Sequence, residues 1–164
     1  MSIPARISTL VWGLMLLSVV VALWASATRA AATRCRSLVC LVNSARAGHG
    51  QPVLKRSARL DRSARLRALA IRRCADFSHT ACGQPFQQVF VRAGYHGNAI
   101  GENLAWGSGR LGGRASTMAS WLASPDHRAN LLGRSWESVG VARVHAKRLF
   151  GASNVTVWVM QFGA

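Results

Sequence analysis

The sequence predicts an α+β domain in which helices cover an antiparallel sheet, and three observations carry that reading. Helix-period apolar stripes come first in the chain, and two alternating, β-branched segments close it. Half of the 164 residues are apolar, enough to bury a core and to exclude a wholly disordered chain. Against 21 basic residues stand only five acids, for a net charge of +16, so an oxygen cage for calcium is excluded. All but two of the basic residues are arginines, a bias that a GC-rich genome also produces, so charge alone carries little functional weight.

Each element follows from its pattern. Leu38, Leu41, Val42 and Ala45 fall at i, i+3, i+4 and i+7, an amphipathic helix that Gly48 ends. Ser57–Ala75 reads as a longer helix with Leu60, Ala64, Ala68, Ile71 and Ala75 as its apolar stripe and Arg59, Arg62 and Arg73 on its solvated face. Pro85 suits the first position of a third helix through Phe86, Val89 and Phe90, with Gly94 as its stop. Ile100–Trp106 reads as extended or irregular and Gly107–Gly113 as a flexible loop. Ala115–Ala123 is a fourth helix stopped by Pro125, and Asp126–Leu132 a further short helical turn. Val139–His145 and Val155–Phe162 alternate and are read as strands.

The first 32 residues read as a secretory signal, leaving one domain over 33–164. Arg6 precedes an uncharged stretch, Thr9–Ala25, and Ala25-Ser26-Ala27 offers a small-residue exit. Ile7–Ala27 is also long enough to span a bilayer, so an uncleaved anchor is the alternative. Either way the remainder lies outside the cytoplasm, secreted or at the cell surface, with a net charge of +14 after removal of 1–32. Export makes Cys35, Cys40, Cys74 and Cys82 two disulfides in one of three connectivities. Cys35 can join Cys40 only if the first helix begins between them, since i and i+5 on one helix point about 140° apart.

Residues able to carry chemistry are few. The 33–164 region has two glutamates, Glu102 and Glu137, and five histidines. His79, Glu102 and His127 sit in short, distinctive settings, and two imidazoles with a carboxylate can bind a divalent metal or move protons near neutral pH. The spacing of a helical zinc protease motif is absent. His49, His96 and His145 read as solvated, and Trp106, Trp121, Trp136 and Trp158 as core aromatics. Asn103 and Asn130 suit hydrogen bonds to loop backbone.

From Cys40 to Phe162 the order of segments resembles the CAP superfamily, the secreted domains of sperm-coating, antigen-5-like and pathogenesis-related proteins, and its bacterial branch above all. The matching stretches are Cys40-Leu41-Val42-Asn43-Ser44-Ala45-Arg46, Phe77-Ser78-His79, Gly101-Glu102-Asn103 and Trp121 with Ser124-Pro125-x-His127-Arg128-x-Asn130-Leu131-Leu132. Trp136–Val141 and Trp158–Gly163 complete the series. The resemblance implies a three-layer α-β-α sandwich with a small antiparallel sheet, and a cleft where His79, Glu102 and His127 meet. Those three match members of a His₂Glu₂ tetrad. The fourth position falls around Ser120–Ser124, which holds no carboxylate, and Glu137 matches a different motif.

Three functional classes follow. The favoured one is a ligand- or partner-binding module for a lipid, cell-wall or protein ligand. The second is a metal-assisted hydrolase with His79, Glu102 and His127 as catalytic and metal-binding candidates, taking a divalent ion such as zinc as cofactor. The third is a cationic binder of anionic surfaces, touching membranes only through the leader or through charge. No motif for specific nucleic-acid recognition is present.

Overall fold

The side chain of Ser37 accepts from the amide of Cys40 and opens the first helix, α1 (Leu38–Gly48), in this computed structural model, which describes residues 35–164. The segment read as a secretory leader falls outside the described residues. Helix α1 does begin between Cys35 and Cys40, and both are disulfide-bonded. Cys74 is bonded to Cys82, and no described cysteine is free.

After α1 come β1 (Lys55–Arg56), α2 (Ala58–Cys74), a 3₁₀ turn (Ala81–Gly83), α3 (Gln88–Arg92) and β2 (Ile100–Ser108). A second 3₁₀ turn (Gly109–Gly112), α4 (Arg114–Ala123), α5 (Pro125–Leu132), β3 (Ser138–Leu149) and β4 (Ala152–Gly163) complete the chain. The sheet order is β1-β3-β4-β2. Strand β4 pairs antiparallel with β2 and with β3, whereas β1 runs parallel to β3 through two residue pairs. The antiparallel sheet of the sequence reading thus gains a parallel edge.

Alternation along the strands builds the two faces. Leu104, Ala142, Val144, Val157 and Val159 meet Ala64, Ala68 and Ile71 of α2 on one side. Val139, Met160 and Phe162 meet Leu38, Val42, Met118, Trp121 and Leu131 on the other, from α1, α4 and α5. The result is a three-layer α-β-α sandwich. The alanines of α2 let the helix lie close on β3. At Gly140 an added Cβ would come 2.1 Å from the backbone carbon of Leu60, so only glycine fits beneath the helix. Among the described residues the core clusters lie between Leu38 and Phe162, so Ser37–Ala164 is a compact unit with a core of its own.

Several element boundaries differ from the sequence reading. Pro85 does not open α3: the helix starts at Gln88, after a turn in which Gln88 bonds back to Pro85. Ile100–Ser108 is a regular strand because every residue of it pairs with β4, a long-range partner that periodicity does not reveal. The glycine-rich segment holds a 3₁₀ turn, and the turn at Asp126 is a full helix with Pro125 at its start. Of the tryptophans, Trp121 is buried and Trp136 and Trp158 are half-buried against the core, but Trp106 is 41 % exposed. His49, His96 and His145 are exposed, as expected.

Candidate functional site

Strand β2 lies at the edge of the sheet, and the two helical layers close over it from opposite sides. Edge strands leave alternate backbone groups unpaired. Here the Trp121 indole donates to the Leu104 carbonyl (2.9 Å), and the Asn130 amide reaches the Glu102 carbonyl (3.4 Å). Asn130 also donates to Asn103 Oδ1 (2.9 Å), and Asn103 donates to the His127 carbonyl (2.9 Å). This amide ladder fastens α5 to β2; both asparagines do bond to backbone, but of a helix and a strand and not of the loops the sequence reading expected. From the far end, the buried Arg46 donates to the carbonyls of Leu131 and Gly133, fixing the close of α5 to α1. Burial lowers the pKa of that guanidinium.

His79 is held differently. Helix α2 ends at Ala75 in a left-handed conformation, and the Cys74–Cys82 disulfide closes the short loop that carries His79. Within that loop Asp76 accepts from the Cys82 amide (3.2 Å), and Ser78 accepts from the Thr80 amide (3.2 Å). His79 Nδ1 then lies 2.8 Å from Glu102 Oε1, with the histidine side chain half exposed and the carboxylate fully buried. A carboxylate only accepts, so Nδ1 carries the proton and Nε2 is left for another partner.

Behind this pair the second carboxylate oxygen is engaged as well. Gln161 donates to Oε2 at 2.7 Å, directly across the strand pairing Glu102↔Gln161. The Arg67 guanidinium, wholly buried, approaches the same oxygen to 3.6 Å and donates to the Phe86 carbonyl (3.1 Å). Its Nε and Nη1 are buried without a hydrogen-bond partner. Glu102 is therefore the counter-charge of an arginine in the core and the anchor of an imidazole at the surface.

His79, Phe86, Gly101, Glu102 and Asn130 line a cleft of about 380 Å³. Phe86 packs edge-to-face against His79 with ring centres 6.1 Å apart. Gly101 lets the Trp136 ring pack against β2, because a Cβ there would meet that ring at 2.9 Å.

His127, on the first turn of α5, belongs to the opposite layer. Its Nδ1 lies 2.9 Å from Ser124 Oγ, and its ring is 6.5 Å from that of Trp121. Burial first, and then the charge of His79, lower its pKa below the ordinary histidine value, with Asp126 opposing them. The structure thus joins His79 to Glu102 directly and brings His127 within the electrostatic reach of His79. Glu137 is exposed, and its charge acts on Tyr95, whose phenol is raised by burial and by that carboxylate.

Among the described residues no three His, Cys, Asp or Glu side chains are grouped to hold an ion. The reason is visible in Glu102, whose two oxygens already serve His79, Gln161 and Arg67. What the arrangement offers instead is an imidazole of fixed orientation beside an aromatic wall and an amide.

Arg67 and Gln161 were not singled out by the sequence reading. A signal existed for Arg67, which falls on the apolar stripe of its helix between Ala64 and Ile71.

Residues 39–162 match the Cysteine-rich secretory protein family, the CAP domain, and the chain belongs to it. No curated protein matches its sequence. Among solved structures it is similar to an outer surface protein of Borrelia burgdorferi, at 21 % identity and a TM-score of 0.65, covering 77 % of this chain and 88 % of that one. It is also similar to an extracellular protein of Bacillus anthracis that contains an SCP domain, at 22 % identity and a TM-score of 0.62. A cysteine-rich secretory protein of Staphylococcus aureus gives 18 % and 0.55. Each of the last two is matched over 77 % of this chain and over 38 % and 37 % of its own length. These likenesses show the fold.

Proposed function

We propose that the chain is an exported CAP module that binds a small ligand, with an apolar body and one polar group, in the cleft beside β2. The observation that carries this reading is the His79–Glu102 pair. A buried carboxylate fixes the ring so that Nε2 is its open atom, next to the Phe86 wall and the Asn130 amide. That combination of one apolar wall with a few placed polar groups is the ordinary make-up of a ligand pocket. Export is supported by the leader pattern, by four oxidised cysteines and by relatives described as outer-surface or extracellular. No helix of the described residues is long and apolar enough to cross a membrane.

The test is an NMR titration of the oxidised domain, residues 33–164, with phenol and with cyclohexanol. Binding at the cleft moves the His79 ring and Asn130 side-chain signals, and His79→Ala abolishes the response. Signals that move only elsewhere, or not at all, contradict the reading. A parallel titration with Zn²⁺ is expected to show no tight site.

A further inference from the structure

A second surface lies at the tip of the β3–β4 hairpin, and nothing in the cleft accounts for it. Phe150 and Gly151 form the hairpin turn, both at positive φ, 52° and 74°. That turn favours Asn, Asp or Gly at its first position, and a bulky aromatic there is a conformational outlier. Outliers of this kind persist where the surrounding structure over-determines them, and here Phe150 is half-buried against the α2 side of the core. Phe150 gathers two partly exposed rings around itself: Trp106 at 5.1 Å between centres and Phe77 at 5.9 Å. Trp106 is 41 % and Phe77 40 % exposed, among the few large apolar side chains left in solvent.

Exposed basic groups lie on the elements that carry or adjoin the rings. Arg148 is two residues before Phe150 on the same hairpin and is exposed. Arg72, at the end of α2, reaches across to the His145 carbonyl on β3, and Arg73 beside it contacts Cys82 Sγ. The nearby acid, Asp76, is occupied by the Cys82 amide. The rings meet at 70° and 52°, so they are not coplanar and do not form one flat platform for stacking a sugar or a base. Tilted, partly exposed rings with exposed arginines on the same elements fit the interface of an anionic bilayer, where rings enter the headgroup layer and guanidinium groups meet lipid phosphates.

We propose that Phe77, Trp106 and Phe150, with Arg72, Arg73 and Arg148, form a docking surface for anionic lipid bilayers. The proposal is independent of the cleft reading, because its test reads vesicle binding and not cleft occupancy.

The experiment is co-sedimentation of oxidised 33–164 with phosphatidylcholine vesicles, with and without phosphatidylglycerol, at about 0.15 M salt. The protein pellets with the anionic vesicles and not with the neutral ones. Phe150→Asn removes the ring while suiting the left-handed turn, so the fold is retained, as thermal unfolding checks. It lowers vesicle affinity about tenfold, and Trp106→Ser does the same, as expected when half-buried rings leave an interface. Arg65→Ser, an exposed arginine of α2 outside the patch, changes affinity less than about twofold. Three results of the vesicle assay overturn the proposal. They are no binding to anionic vesicles, equal losses in Phe150→Asn and Arg65→Ser, and wild-type binding by Phe150→Asn. Equally tight binding to soluble polyglutamate, with the same sensitivity to Phe150→Asn, also overturns it by assigning the surface to a polyanion.

Discussion

Replacing Glu102 by glutamine keeps the shape of the side chain and removes its charge. Three groups then lose what they face. Arg67, with no exposed surface, is left as a buried cation whose nearest counter-charge, 3.6 Å away, has gone. Gln161 Nε2, 2.7 Å from Oε2, meets a second donor if the new amide nitrogen takes that position. Turning the amide over places that donor against His79 Nδ1 instead. At an effective dielectric of about 20, two unit charges at that separation attract by about 4–5 kcal/mol. Breaking one partner out of a buried ion pair costs about 3–5 kcal/mol in measured cases. The two figures agree, and against a total stability of roughly 5–15 kcal/mol the loss is large. Urea unfolding of the oxidised domain, followed by tryptophan fluorescence, is expected to show it as a lower midpoint, and thermal unfolding as a fall in Tm of roughly 10–20 °C. Adding Arg67→Met to Glu102→Gln removes the stranded cation and restores part of the loss. A cost below about 1 kcal/mol for Glu102→Gln, or a double variant less stable than the single one, refutes the assignment of Glu102 as the counter-charge.

Three further outcomes follow from the same structure. The Cys74→Ser/Cys82→Ser variant opens the loop that carries His79, and it is expected to lose about 2–3 kcal/mol in urea unfolding while exchange broadens the His79 ring signals. Gly140→Ala forces a methyl into the backbone of α2 and costs about 3 kcal/mol or more, read as a fall in the urea midpoint. The lowered pKa of His127 sets a pH dependence. Above about pH 6.5 the ring is neutral in both states, and as pH falls from there the unfolded chain takes up the proton first. Stability therefore drops until the folded ring's own pKa is passed, and His127→Asn shows a smaller drop between about pH 7.5 and about pH 5.

Much of this was legible in the sequence, and the parts that were not share a cause. The stripe Leu60–Ala64–Ala68–Ile71 gave α2 its buried face, and the serines at its start and before α1 cap as residues of that type do. The meeting of His79 with Glu102 was expected from the family pattern and from the isolation of a glutamate in an acid-poor chain. Strand β2 reads as extended or irregular in the sequence because its regularity comes from pairing with a segment far along the chain, not from its own alternation. Strand β1, two residues long, has no periodicity to detect. Arg67 was not singled out, although its place on the apolar stripe between Ala64 and Ile71 was a signal that its guanidinium is buried. Trp106 was read as core because large aromatics in small domains usually are. Its exposure follows from its place near the end of an edge strand, beside a hairpin turn whose conformation the sequence does not announce.

The central claim is that a buried Glu102 holds His79 with Nδ1 protonated and Nε2 open. Long-range ¹H–¹⁵N correlation spectra of the imidazole rings in the oxidised domain test it directly. The account predicts that neutral His79 is the Nδ1–H tautomer, and that Glu102→Gln weakens this preference. A neutral His79 that is mainly the Nε2–H tautomer, or one unaffected by Glu102→Gln, contradicts it.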